Sequence, residues 1–228
     1  NVCHRPVFQK NFRWLNAVLF WVLGPIFGQT PETYYAHHMG MHHAENNMQK
    51  DLSSTLAFKR DSVRDFARYL GRFLIVGTAE LGVYLWSRRR IKLLRRIILG
   101  EVVYFTTVLA LFFFNWRGTL VVFIIPLVVV RFAMMTGNWA QHAFIDPTDP
   151  ENNYKNSITC INSTYNRRCF NDGYHIGHHL KMNRHWTEMP ADFLANIETY
   201  RIENAVIFKG LDFFLVWVFL MLGRYDKL

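Results

Sequence analysis

The residues of this chain with the most chemical potential are its ten histidines. They fall in five short places: His4; His37, His38, His42 and His43; His142; His175, His178 and His179; and His185. None lies between His43 and His142. Histidines kept for packing would not cluster in this way. In Gly173-Tyr-His-Ile-Gly-His-His-Leu, the three rings stand at i, i+3 and i+4, which is one face of a helix. His38 and His42 are likewise one turn apart, with His43 beside them. Neutral imidazole is a common ligand for iron, zinc, copper and nickel. Seven or more imidazoles are too many for one tetrahedral zinc, so two metal ions are the natural reading. H-E-x-x-H is absent, which disfavours a zincin-type protease.

The elements that must position these rings are apolar. Of 228 residues, 51% are hydrophobic and only 19% are charged, which excludes disorder and repeat-fibre classes. Three cysteines without C-x-x-C argue against a disulfide framework and for a reducing compartment. The longest apolar runs are residues 97–116 and 119–136, and their short connection at Arg117-Gly118 predicts an antiparallel hairpin across a bilayer. Arg88, Arg89, Arg90, Lys92, Arg95 and Arg96 lie just before it. The positive-inside rule puts that end in the cytosol, where contact with anionic headgroups is an equally plain role for the cluster. The +9 net charge carries little nucleic-acid signal, because the basic residues flank apolar spans. If both histidine blocks serve one metal centre, an even number of spans separates residues 43 and 175. Residues 70–86 are then interfacial, and residues 14–28 form a shallow or re-entrant segment. The expected fold is all-α: one integral membrane domain over residues 1–228, with a transmembrane hairpin, interfacial helices and a cytosolic cap that carries the histidines. The tail, 205–222, is expected as an interfacial helix rather than a further span. The chain starts at Asn1 with no signal-peptide pattern, so it reads as a piece whose earlier spans lie upstream.

On these residues the chain resembles the membrane fatty acid desaturases, a di-iron family with three histidine boxes. The third box, His175-x-x-His178-His179, followed by His185-Trp-Thr-Glu-Met-Pro, is the most specific part, and the middle box is His38-x-x-x-His42-His43. The first box holds only His4; its partner would fall immediately before Asn1, as if the sequence were cut inside the box. The element Asn138-Trp-Ala-Gln-His142 matches the family's additional ligand.

The resemblance implies metal ligation by His4, His38, His42, His43, His142, His175, His178 and His179, with Asn138 holding a metal-bound water. His37, His185, Asp172 and Glu188 are candidates for orienting those ligands, Asp172 having a helix cap as its plainer role. It further implies two non-haem iron ions and dioxygen as co-substrate. Two hydrogens would be taken in turn from adjacent carbons of an acyl chain, leaving a double bond. No flavin, dinucleotide or haem motif is present, so electrons would come from cytochrome b5 or a ferredoxin. The membrane would be that of the endoplasmic reticulum or a plastid, with the boxes on the cytosolic or stromal side. Related scaffolds hydroxylate fatty acyl, sphingolipid, alkane or carotenoid substrates, and the spacing does not separate the two outcomes. A metal-free lipid-binding relative and a membrane zinc hydrolase are the rivals from other classes. Asn162-Ser-Thr164 matches a glycosylation acceptor but falls on the expected cytosolic side, where it would stay unmodified.

Overall fold

The computed structural model describes His4 and residues 6–228; Cys3 lies outside the described residues. The chain is mostly helical and divides into two compact units, residues 2–44 with 71–134 and residues 45–70 with 135–228.

In the first unit, α1 (Trp14–Ile26) has 13 residues, about 20 Å of helix and well short of a membrane span. α2 (Thr33–His37) continues through a wider, i→i+5 bonded turn at His38–His42 into His43–Glu45. α3 (Val63–Ser87) contributes its residues 71–87 to this unit, and α4 (Ile91–Thr119) follows after a tight turn.

The helical rhythm of α4 breaks at Asn115, whose φ and ψ are −151° and 86°. In one straight helix Tyr104 and Phe123 would stand about 28 Å apart. Instead the Tyr104 hydroxyl donates to the Phe123 carbonyl at 3.0 Å, so the chain doubles back between them. The turn falls at Asn115 rather than at Arg117-Gly118, because Asn115 works as a helix cap. Its Oδ1 accepts from the Gly118 N–H at 3.0 Å, and its carbonyl accepts from the Thr119 hydroxyl at 2.8 Å. A second wide turn, Leu120–Ile124, leads into α5 (Ile125–Gln141). Among the described residues, Ile91–Gln141 is the one helical stretch long and apolar enough to cross a membrane, and little of it is buried within the chain.

One face of α4 is nevertheless engaged. Ile97, Gly100, Tyr104 and Val108 recur at helical spacing and are buried. The acid that interrupts this apolar helix, Glu101, accepts from the hydroxyls of Thr30 at 2.6 Å and Thr33 at 2.5 Å. Arg96 reaches Glu32 at 2.6 Å, and Trp21 donates its indole N–H to the same carboxylate at 3.1 Å. These contacts tie α4 to the segment that leads into α2.

The second unit is built on the last turns of α5 and a polar loop over residues 46–62. Trp139 is fully buried, packs edge-on against Phe66 and Tyr69, and donates to the Arg60 carbonyl at 2.9 Å. Beyond α6 (Asn153–Asn156) come β1 (Thr159–Ile161), α7 (Thr164–Arg168), α8 (His175–Leu180), α9 (Met189–Ala195) and α10 (Ile197–Ile202), then β2 (Ile207–Lys209) and α11 (Phe213–Met221). β1 and β2 pair in parallel with Thr159 opposite Ile207, which corrects the purely α expectation. The tail is corrected with it: residues 205–222 split into a strand and a nine-residue helix, about 14 Å long, whose Phe213, Val216 and Leu220 are buried. The pairing explains the split, since Thr159 N–H also donates to the Val206 carbonyl and Gly210 N–H to that of Ile161.

A Cβ at Gly100 would lie 2.1 Å from the Pro31 carbonyl oxygen, a backbone atom with little room to move. Gly100→Ala should therefore destabilise the chain, although alanine favours helix by about 1 kcal/mol. A lower unfolding midpoint in detergent, relative to Gly71→Ala where the space is open, is the expected result.

Candidate metal centre

In the first unit the histidine block owes its geometry to the wide turn. In a regular α-helix, residues 38 and 43 point to different faces; the i→i+5 turn at His38–His42 brings them together. The Nε2 atoms of His38 and His43 are 3.2 Å apart, and that of His4 lies 3.0 Å from His38. The His42 ring stacks on His38 with centroids 5.8 Å apart. The Arg90 guanidinium donates to the Gly40 carbonyl inside the turn and so holds its backbone. Burial pulls the His4 imidazole down to about 4, which keeps it neutral at pH 7, the form that binds metal.

In the second unit, His175 and His179 approach through Nε2 at 3.0 Å along α8, and His178 stacks on His175 with centroids 5.6 Å apart. His142 is fully buried, with its centroid 5.4 Å from His175 and 5.2 Å from His179. His142 Nδ1 lies 2.8 Å from the Asn156 carbonyl. A carbonyl only accepts, so Nδ1 carries the hydrogen and Nε2 presents its lone pair. The Thr55 hydroxyl fixes the His142 carbonyl at 2.8 Å.

The entry to α8 is equally constrained. Gly173 N–H donates to Asn166 Oδ1 at 2.9 Å, its carbonyl accepts from Cys160 N–H at 2.8 Å, and Asn166 Nδ2 donates to the Cys160 carbonyl at 2.8 Å. A Cβ at residue 173 would meet Asn166 Oδ1 at 2.3 Å and Cys160 O at 2.5 Å, so only glycine starts the third box here.

These spacings fit metal ligation. Two nitrogens bonded to one ion at about 2.1 Å, at right angles, stand ~3.0 Å apart. Hydrogen bonding alone accounts for the first set poorly. The His38 Nε2 holds either one hydrogen or one lone pair, yet two neighbouring Nε2 atoms crowd it. A shared cation satisfies all three.

A fatty acid desaturase family model matches residues 1–222. The chain belongs to the fatty acid desaturase family. The match includes all ten histidines. No curated protein and no solved structure matches the chain. As a member of this family the chain is an oxidoreductase of the desaturase or hydroxylase type.

Among the residues expected to orient the ligands, the structure separates several from the rings. His37 turns away from the His38 ring, meets Phe73 edge-on at 5.6 Å and lines a small cavity with Thr30, Thr33, Thr78 and Arg131. His185 caps the short turn Trp186–Glu188, its Nδ1 2.7 Å from the Thr187 hydroxyl. Asp172 accepts from the Tyr165 hydroxyl at 2.8 Å, and the α8 cap position belongs to Tyr174. Glu188 is exposed. For His142 the group that orients the ring is a backbone carbonyl, that of Asn156.

Asn138 lies one helical turn before His142. Its Nδ2 donates to the Ser53 carbonyl at 2.9 Å and the Tyr69 hydroxyl at 2.7 Å, and Tyr69 donates to the same carbonyl at 3.2 Å. Both amide hydrogens are thus committed, which leaves Oδ1 as the group Asn138 presents elsewhere. Burial raises the Tyr69 pKa, so the hydroxyl keeps its proton. Sequence reading missed Tyr69, Ser53, Thr55 and Asn156; all four act through or upon backbone carbonyls, which leave no residue signature.

His38→Ala should lose bound metal, whereas His37→Ala and His185→Ala should retain it; metal analysis of purified chain decides. Tyr69→Phe removes one of the two acceptors of a buried amide and should lower stability by about 1–2 kcal/mol in thermal or denaturant unfolding.

Proposed function

We propose that the chain is a di-iron membrane lipid desaturase that introduces a double bond into an acyl chain, using dioxygen and electrons from an external donor. The observation that carries this reading is the pair of converging imidazole sets in a chain of this family. Eight ring ligands suit two ions: His4, His38, His42, His43, His142, His175, His178 and His179. Bound there, iron with dioxygen would supply the oxidising power that removing hydrogen from an unactivated methylene demands.

The chain's own residues supply position. The wide turn aims His38, His42 and His43 together, and Gly173 fixes the start of α8. The Asn156 carbonyl sets the His142 tautomer. Asn138 Oδ1 would accept from a metal-bound water. Neutral rings, rather than carboxylates, keep the site free of negative charge that would favour binding of other cations.

The apolar arms on either side of Asn115 would cross the bilayer as a hairpin in a multi-pass protein of the endoplasmic reticulum or a plastid. Each arm is long enough at 1.5 Å per residue, and their outward faces are rich in exposed Val, Leu and Phe. Cytochrome b5 or a ferredoxin would deliver the electrons.

The test uses the chain with its upstream residues restored, purified in detergent, with iron measured by mass spectrometry and products by gas chromatography of lipid methyl esters. Two irons per chain and a new double bond, both lost in His178→Ala/His179→Ala, are the expected outcome. A hydroxylated product would assign oxygen transfer instead. Zinc without iron would overturn the oxidase reading.

A further inference from the structure

The basic cluster between α3 and α4 is unexplained by the metal sites. α3 ends in a Schellman turn: Arg90 N–H donates to the Leu85 carbonyl at 2.8 Å and Arg89 N–H to that of Trp86 at 2.9 Å. The residue after the cap, Arg89, has φ +56°, a left-handed position where glycine or asparagine would be less strained. Lys92, Arg95 and Arg96 then fall in the first two turns of α4, which contain no acid in the first turn. The helix dipole disfavours cations there. Both placements cost stability, so local structure does not account for these charges.

Three of the cations have internal roles, Arg88 lying over the Tyr84 ring at 5.5 Å. Arg96 pairs with Glu32, and Arg90 holds the Gly40 carbonyl. Arg89, Lys92 and Arg95 are exposed, and among the described residues no acid pairs with them. Arg89, Arg90, Ile91, Lys92 and Leu93 line an open hollow of about 520 Å³. Within a few residues along the chain, apolar side chains are exposed on the same two helices: Val83 and Trp86 at the end of α3, Ile98 and Leu99 on α4. Cations with a tryptophan and aliphatic side chains are the composition of a membrane interface, and arginine pairs well with phosphate.

We propose that this turn binds the phosphate headgroup of an anionic membrane phospholipid, with its acyl chains against the neighbouring apolar side chains. An amphiphile satisfies both halves of the surface, whereas a soluble acidic partner would leave the apolar half exposed. The site does not depend on the metal chemistry above.

The test is native mass spectrometry of the detergent-purified full chain, titrated with phosphatidylserine and with phosphatidylcholine. Phosphatidylserine should be retained at least about tenfold better, with the preference weakening as salt rises. Arg89→Gln/Lys92→Gln/Arg95→Gln should abolish the preference, while Arg89→Lys/Arg95→Lys should keep it. If the triple variant does not fold, the salt dependence in the parent chain and the single Gln variants decide in its place. Equal retention of both lipids, or a preference that survives loss of the three charges, would overturn the proposal. So would displacement of the lipid by millimolar inorganic phosphate, which would make the free anion the ligand.

Discussion

Imidazole nitrogens at about 3 Å from one another set the terms for the rest of the molecule. Lone pairs repel at that distance, and the His42, His142 and His175 rings are buried as well. Such a cluster stays together only where the backbone leaves the rings no other course. Each unit meets this demand differently. One uses a locally widened helix pinned by an arginine; the other uses a regular helix whose first residues are clamped to a strand.

In the first unit the constraint passes through α4. Arg90, Leu93, Ile97, Gly100 and Tyr104 follow helical spacing along one face, and from Arg90 to Glu101 the polar contacts lead to residues 30–40. Two acids, the buried Glu32 and the half-buried Glu101, would be costly in so apolar a region without partners. Here their partners are the means by which the apolar helix and the histidine turn are held in register.

What the sequence disclosed, and what it hid, follows from how each feature is encoded. Histidine spacing is a property of side chains, so the boxes are legible directly. The wide turn at 38–42 is not, because nothing in His-Met-Gly-Met-His distinguishes i→i+4 from i→i+5 bonding. Asn115 carried a readable signal as a capping residue, but the more obvious Arg117-Gly118 drew the turn two residues too late. The three-residue strands are hidden because their pairing is non-local: neither Thr159–Ile161 nor Ile207–Lys209 has the length to show alternation. Asp172 looked like an orienting carboxylate because it sits near the box in sequence. Its bond to Tyr165 shows that proximity along the chain says little about direction at a helix entry.

The support of His142 shows how much of the candidate site lies outside the imidazoles themselves. Asn156 serves it twice over: its carbonyl accepts from the ring, while its side chain donates to the Asn46 carbonyl and accepts from Asn47 at 3.3 Å. Asn47 in turn accepts from the Thr55 N–H, and Thr55 donates to the His142 carbonyl. The circuit closes on itself through residues that are almost wholly buried. A closed polar network of this kind resists the loss of any one member, because each broken bond strands a buried group. It therefore fixes the His142 ring without adding charge beside the neighbouring imidazoles.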